Sequence, residues 1–346
     1  MSTVQPTRPW VATTADRVRD GLIFVVSIAI SYGLVAATPL KGKLAYFFTF
    51  FAILTLANGL NGFLRYGFAA AKDAAIKTLV GVGALLTVMP IASILATVIS
   101  KGYKGIKPNL FTQDMSLATP TDPLNNGGIL HAISGTLILV FLSLIMSVPL
   151  GILTALYLTE IKGRFSKPIK FLVQAMSGVP SIVAGLFILS AVLYPITKGY
   201  SGFMGSLALT ILMIPTIART SEEVLNLIPQ DLREAGTALG GTQWRTVAMI
   251  VLPAARSGLI TAMILGVARI AGETAPLLLL TGGGDKVNGN PFHDPIGSLP
   301  YYIWKSFNAG SEEAITRAWA GLLVLVVLIL ILFTTARFLS TRKVSR

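Results

Sequence analysis

Cysteine is absent from this chain, which excludes both a disulfide framework and a thiolate metal site. Histidine is nearly absent too: His131 and His293 are the only two, and both fall beside loops, so no metal-ligand spacing and no deep nucleophile–base pair emerges. An intramembrane hydrolase is therefore the weakest reading. No G-x-x-x-x-G-K-[ST] stretch occurs, so the chain has no loop to cradle nucleotide phosphates. A secondary transporter would show internal repeats and paired broken helices, and no repeat is found. Charge is scarce as well, at 12% of residues, against about 25% in an ordinary soluble domain.

What is present is apolar. Hydrophobic residues make up 53% of the 346, and the mean hydropathy is +0.72. In lipid every backbone polar group must be satisfied within the segment, so these runs are expected as helices. Stretches of spanning length fall at roughly 22–39, 44–63, 77–99, 130–157, 170–194, 203–221, 255–280 and 317–338. The fold class expected is an all-α polytopic membrane helix bundle. Pro39 to Lys43 leave room only for a tight hairpin between the first two spans. Arg17 and Arg19 ahead of a run ending near Ala36 and Ala37 also fit a signal peptide, but the run is long for that role and favours an uncleaved anchor.

The net charge of +13 is about orientation rather than nucleic acid. With the N-terminus inside, eighteen Lys and Arg fall in inner segments, Arg8, Arg17, Arg19, Arg342, Lys343 and Arg346 among them, and eight fall in outer ones. That bias places both termini and the loop 222–254 in the cytoplasm. Two outer loops exceed simple turns. Residues 100–129 carry Pro108, Pro120, Pro123 and Asn125-Asn126-Gly127-Gly128, which predict irregular structure. Residues 282–316 carry Leu299-Pro300-Tyr301-Tyr302-Ile303-Trp304, an aromatic patch suited to the membrane interface or to an external partner.

Two stretches carry the chemistry. The first is Glu234-Ala235-Gly236, then Gly240, Ile250 and Leu252-Pro253, lying between apolar runs. A short amphipathic helix ended by a Gly turn and followed by a second helix can present a compact knob to a soluble partner. The second lies in the seventh span, read as one helix over 255–280. There Arg269 falls mid-membrane with Glu273 one turn on, followed by Thr274 and a kink at Pro276. A central Arg costs about 2.5–3.5 kcal/mol to insert, so it calls for a function or a partner. Arg before Glu at i,i+4 is the poorer order, so a loose pair is expected. A guanidinium suits phosphate oxygens as a planar fork, and the alternative is an ion pair that fixes helix packing. Arg219, at the inner end of the sixth span, is either an anion guide or an inner-side anchor. Ser181, after Gly178 and Pro180 in the fifth span, is a pathway residue or a packing residue.

The spacing from Glu234 to Pro253 resembles the E-A-A loop of ABC importer permeases, with Gly236 in place of the second Ala. Gly there is expected to loosen the helix by about 0.8–1 kcal/mol. Arg269-Ile270-Ala271-Gly272-Glu273-Thr274-Ala275-Pro276-Leu277-Leu278, together with Pro180 to Leu186 and Leu232-Arg233-Glu234-Ala235, is similar to the PstA family of phosphate-specific ABC importer subunits. The resemblance runs from about residue 77 to the C-terminus. It implies a six-helix permease domain over 77–346, with the coupling loop at 222–254, preceded over 1–76 by a cytoplasmic tail and an extra hairpin. It also implies a PstC-like second permease, a PstB-like ATPase dimer that binds ATP and Mg, and a PstS-like phosphate-binding protein. No cofactor on this chain is implied. Phosphate would pass Arg269, Glu273, Thr274, Ser181 and Arg219, while Glu234, Ala235, Gly240, Leu252 and Pro253 would meet the ATPase. A permease for molybdate or sulfate would share the same loop.

Overall fold

The computed structural model describes residues 13–39 and 41–341. Four of the inner cations counted above, Arg8, Arg342, Lys343 and Arg346, lie outside the described residues, as does Leu40 in the first hairpin turn. The chain divides into two compact units, 1–96 and 97–346.

In the first unit, α1 (Thr14–Ala37) and α2 (Lys43–Tyr66) pair as the expected hairpin. Thr13 and Asp16 form a capping box at the start of α1. Aromatic contacts then join the two helices, with Phe24 edge-on to Phe50 at 5.3 Å and Tyr32 stacked on Tyr46 at 5.8 Å. α3 (Phe68–Gly102) begins after Gly67, whose φ of +83° permits the reversal.

The second unit starts with the last turn of α3, where Gly102 and Gly105 approach Trp319 and Ala320 closely. A short α4 (Pro108–Thr112) interrupts the irregular stretch that follows α3. The centre is built on α5 (Leu130–Leu156) and α8 (Gly202–Asn226). Gly151 lies against Ile217, and the Ser143 hydroxyl donates to the Ser206 carbonyl at 3.2 Å, so small residues let the backbones close up. Leu139, Leu209, Leu212, Met213 and Ile217 form the core around this seam. Between them come α6 (Ser166–Ser177) and α7 (Ser181–Ile188), continued by a π-helical stretch Leu189–Thr197.

After α8 follow α9 (Gln230–Ala238), α10 (Gln243–Thr246), a π-helical turn Val247–Val251, α11 (Leu252–Ile270), α12 (Ala275–Leu280), α13 (Leu299–Ala309) and α14 (Glu312–Thr341). Among the described residues seven helices are long and apolar enough to cross a membrane, and there are eight such segments if the bent pair α6–α7, with its π-helical continuation, is one span. The fifth run is thus not one kinked helix. Its two parts meet at 106° across Gly178-Val179-Pro180, because a proline denies the preceding residue the helical region.

The two long loops, 100–129 and 282–316, are ordered by buried polar contacts. Arg317, near the start of α14, is 1% exposed and donates from Nη2 to the carbonyls of Asp122, Pro123 and Asn126. Arg317→Met should leave these acceptors unmet and destabilise the protein by about 3 kcal/mol, measurable as a lowered unfolding midpoint in detergent. The aromatic patch at 299–304 is split. Leu299, Pro300 and Tyr302 are buried in α13 against the core, and only Trp304 is well exposed.

Asp114 accepts from the Ser116 hydroxyl at 2.6 Å and from the Val287 amide at 3.1 Å, joining the two long loops. The Ser116 hydroxyl, ahead of the backbone donors, holds its carboxyl below the usual 3.8. With the folded value depressed, the stabilisation is fully present above pH 3.8 and is lost as pH falls through the lower folded value. Hydrogen exchange at Val287 should therefore speed up in strong acid, and in Asp114→Asn at neutral pH.

Candidate functional site

The seventh span differs from its sequence reading in register and in continuity. An unbroken helical rod runs from Gln243 to Ile270, starting well before residue 255. It then stops: Ala271 and Gly272 form a turn, and Glu273 and Thr274 a short link outside both helices, before α12. Gly272 supports the break, and Pro276 sits in the first turn of α12, where its missing N–H would be unpaired in any case.

Arg269 therefore sits in the last turn of α11 and Glu273 in the break, not one helical turn apart on a shared face. The expected loose pair does not form. No carboxylate lies within 4.0 Å of the Arg269 guanidinium, and among the described residues it has no hydrogen-bond partner. Arg269 is exposed in the single chain, on a face of α11 shared with Ser257, Thr261, Leu265 and Ala268. Glu273 is half-buried, and its amide donates to the Ile270 carbonyl at 3.1 Å. Thr274 turns its hydroxyl to the Gly272 carbonyl at 3.4 Å.

The two helix breaks are brought together. A Cβ on Gly185 of α7 would lie 2.9 Å from Pro276 Cα, so α7 and α12 touch at the backbone. Half-buried Ser181 lies one helical turn before that contact. Non-helical backbone of this kind is tolerated at membrane depth only where protein buries it or it lines a wet cavity.

Arg219 lies elsewhere. α11 runs antiparallel to α8, with Gly258 against Val224 and Gly266 against Met213 and Ile217. Continuing to Arg269 reaches about the level of residue 211, so Arg219 lies roughly 10 Å nearer the coupling end. There it lines a cavity of about 230 Å³ with Gln174, Asn226, Glu223 and the ion pair Lys170–Glu222, 2.8 Å long.

The segment with Glu234 and Gly240 takes the expected helix–turn–helix form. Glu234 and Ala235 are exposed on α9, and Gly240 closes it with φ +82°, a left-handed value that favours glycine. Leu252 instead packs with Val247, Val251 and Ala255, and Pro253 is exposed inside the rod's helical course, so this end of the motif shapes the helix. Gly236 is buried, and a Cβ there would lie 2.7 Å from both Thr246 Cγ2 and Ile250 Cδ1. The departure from E-A-A is thus a packing requirement rather than a mere loosening of the helix.

Sequence reading assigned no role to Glu160 or Arg233. Arg233 Nη2 meets Glu160 at 2.9 Å and its Nε lies 3.1 Å from the second carboxylate oxygen. The remaining donors reach the carbonyls of Ile228 at 2.6 Å and Leu225 at 2.8 Å. Glu160 sits at the end of a π-helical turn that caps α5, 83 residues before Gln243, whose amide donates to the Glu160 carbonyl at 2.7 Å. Residues so far apart in sequence give no local signal of pairing.

A model of binding-protein-dependent transport system inner membrane components matches residues 147–345. The chain belongs to that family. It is 35% identical over 279 residues to phosphate transport system permease protein PstA 1 of Mycobacterium tuberculosis, covering 79% of this chain and 90% of the relative. It is 39% identical over 249 residues to PstA of Haemophilus influenzae, covering 71% and 86%. Among solved structures, an inward-facing MetNI methionine ABC transporter chain aligns over 63% of this chain and 95% of its own, at 21% identity and a TM-score of 0.49. Membership makes this chain a multi-pass component of the inner membrane, in keeping with its apolar helices.

Proposed function

We propose that this chain is the permease subunit of an ATP-driven importer of inorganic phosphate. The observation that supports it most is Arg269, an unpaired guanidinium at a helix break within the span that leads directly from the coupling segment. An unshared cation in a span is costly to keep, by about 2.5–3.5 kcal/mol on insertion scales, and a passing anion offsets that cost. The guanidinium grips two phosphate oxygens at once. Glu273, in the adjoining link, can approach Arg269 when the anion departs, which keeps the site from holding phosphate too tightly for release. Thr274 and Ser181 offer hydroxyls beside the breaks, and Arg219 serves the inner end of the route.

The exposed face of α11 with Ser257, Thr261 and Ala268 turns toward a second, PstC-like permease, and the route runs between the two. A PstB-like ATPase dimer binds ATP and Mg and receives α9 with its exposed Glu234, Ala235 and Leu239. A PstS-like protein delivers phosphate to the outer loops. The chain itself is not an enzyme, its termini are cytoplasmic, and residues 77–346 form the permease domain.

Labelled phosphate uptake into proteoliposomes carrying the whole complex tests this. Uptake should require internal ATP, survive collapse of ion gradients and resist competition by molybdate and sulfate. Uptake that follows the ion gradient instead would make the chain part of a secondary transporter, and stronger competition by molybdate or sulfate would reassign the substrate.

A further inference from the structure

α9 is short, nine residues, and one of its faces is left to a partner. Its inner side is held in two ways. Gly236 seats it on Thr246 and Ile250, which belong to the rod that continues into α11 and ends at Arg269. Arg233 seats it on Glu160, at the end of α5, and on the carbonyls of Leu225 and Ile228, at the end of α8. The second attachment is electrostatic and largely shielded from water, with the two side chains 17% and 8% exposed. Gln243 ties the Glu160 backbone to the rod as well.

From this geometry we infer that Arg233 and Glu160 are a positioning pair that delivers ATPase motion from α9 to α5 and α8, so that these helices move in step with α11. The inference rests on the importer reading. The rod that Gly236 seats also packs on both helices, with Ala155, Leu156 and Leu225 against Val247, Val251 and Ala255, and Arg233 adds a direct polar link from α9 to the same helix ends, so that a push on α9 reaches them without passing through side-chain packing alone. The planar fork matters because one guanidinium serves a carboxylate and two carbonyls on different elements, which a lysine ammonium on a single stem cannot span. Arg233 and Glu160 line an open cavity of about 630 Å³ beside Glu234, well away from Arg269, so their effect is on coupling rather than on phosphate affinity.

The readout is phosphate moved per ATP hydrolysed by the reconstituted whole complex. Arg233→Gln and Glu160→Gln should each lower that ratio at least tenfold while the ATPase still co-purifies and the KM for phosphate stays within about twofold. Arg233→Lys should fall between them and wild type. Because this chain has no native cysteine, E160C/R233C can be joined by a short bifunctional thiol reagent. The joined chain should return to within about threefold of the wild-type ratio, and the unjoined one should not. Wild-type ratios in both Gln variants would overturn the inference, and so would a joined chain as uncoupled as the unjoined one. Should a Gln variant fail to assemble, the joined chain still decides, since a covalent link must then restore assembly and coupling together. Failure of the importer reading itself would show differently, as no ATP-driven phosphate uptake by the wild-type complex.

Discussion

Arg269→Gln is expected to lower ATP-driven phosphate uptake at least a hundredfold, with the complex still assembling in normal yield. Two charge-assisted hydrogen bonds are lost, each contributing about 1.5–3 kcal/mol, and about 1.4 kcal/mol corresponds to a factor of ten. Folding should be spared, because Arg269 has no hydrogen-bond or ion-pair partner among the described residues and lies exposed in the chain. Arg269→Lys keeps the charge but loses the fork, so uptake should fall by about tenfold instead. Glu273→Gln tests the release side of the same scheme. It should tighten phosphate binding and slow turnover, visible as a lower KM together with a lower kcat. Wild-type uptake in Arg269→Gln would remove that residue from the route.

Gly236→Val should abolish uptake by unseating α9, with at least a tenfold loss of ATPase retained on purification. A branched side chain there would meet Thr246 and Ile250, where even a Cβ stands at 2.7 Å. Overpacking of this kind costs about 1–3 kcal/mol. Gly236→Ala is the sharper case. Helix propensity alone predicts a gain of about 0.8–1 kcal/mol, whereas the packing predicts a net loss. A more stable, fully active Gly236→Ala protein would show that the contact relaxes freely and that glycine is incidental here.

The long elements were legible because their signal is local. Twenty or so apolar residues in a lipid environment leave the helix as the only spanning form, and the hairpin of α1 and α2 followed from a connection too short for anything else. Breaks were harder to read. Gly178 to Pro180 fell inside a single apolar run and Pro276 appeared as a kink in a continuous helix, since a proline alone bends a helix and does not say whether neighbours will hold the freed backbone. Here α7 and α12 support one another at Gly185 and Pro276, a contact between residues 91 apart that no window of sequence contains.

The site shows the same division. Arg269 was found because a charge inside an apolar run stands out, but its relation to Glu273 was misjudged once the helix was assumed to continue. The helix that carries Glu234 and Ala235 and its end at Gly240 followed from spacing, since a glycine that ends a helix is a local requirement. Leu252 and Pro253 were assigned to the partner surface by motif, yet Leu252 packs inward. Glu160 and Arg233 were missed because ordinary charges near a membrane surface look like anchors until the fold brings them to 2.9 Å.

The most direct test places a single cysteine at Thr274, in the break five residues after Arg269, in a chain that otherwise has none. The assembled complex in vesicles is then treated with a membrane-impermeant thiol reagent from one side at a time, with and without a non-hydrolysable ATP analogue. The account predicts labelling from the cytoplasmic side without nucleotide, from the outer side with it, and protection by phosphate in both cases. Labelling whose sidedness ignores nucleotide, or a thiol that no reagent reaches from either side, would contradict it.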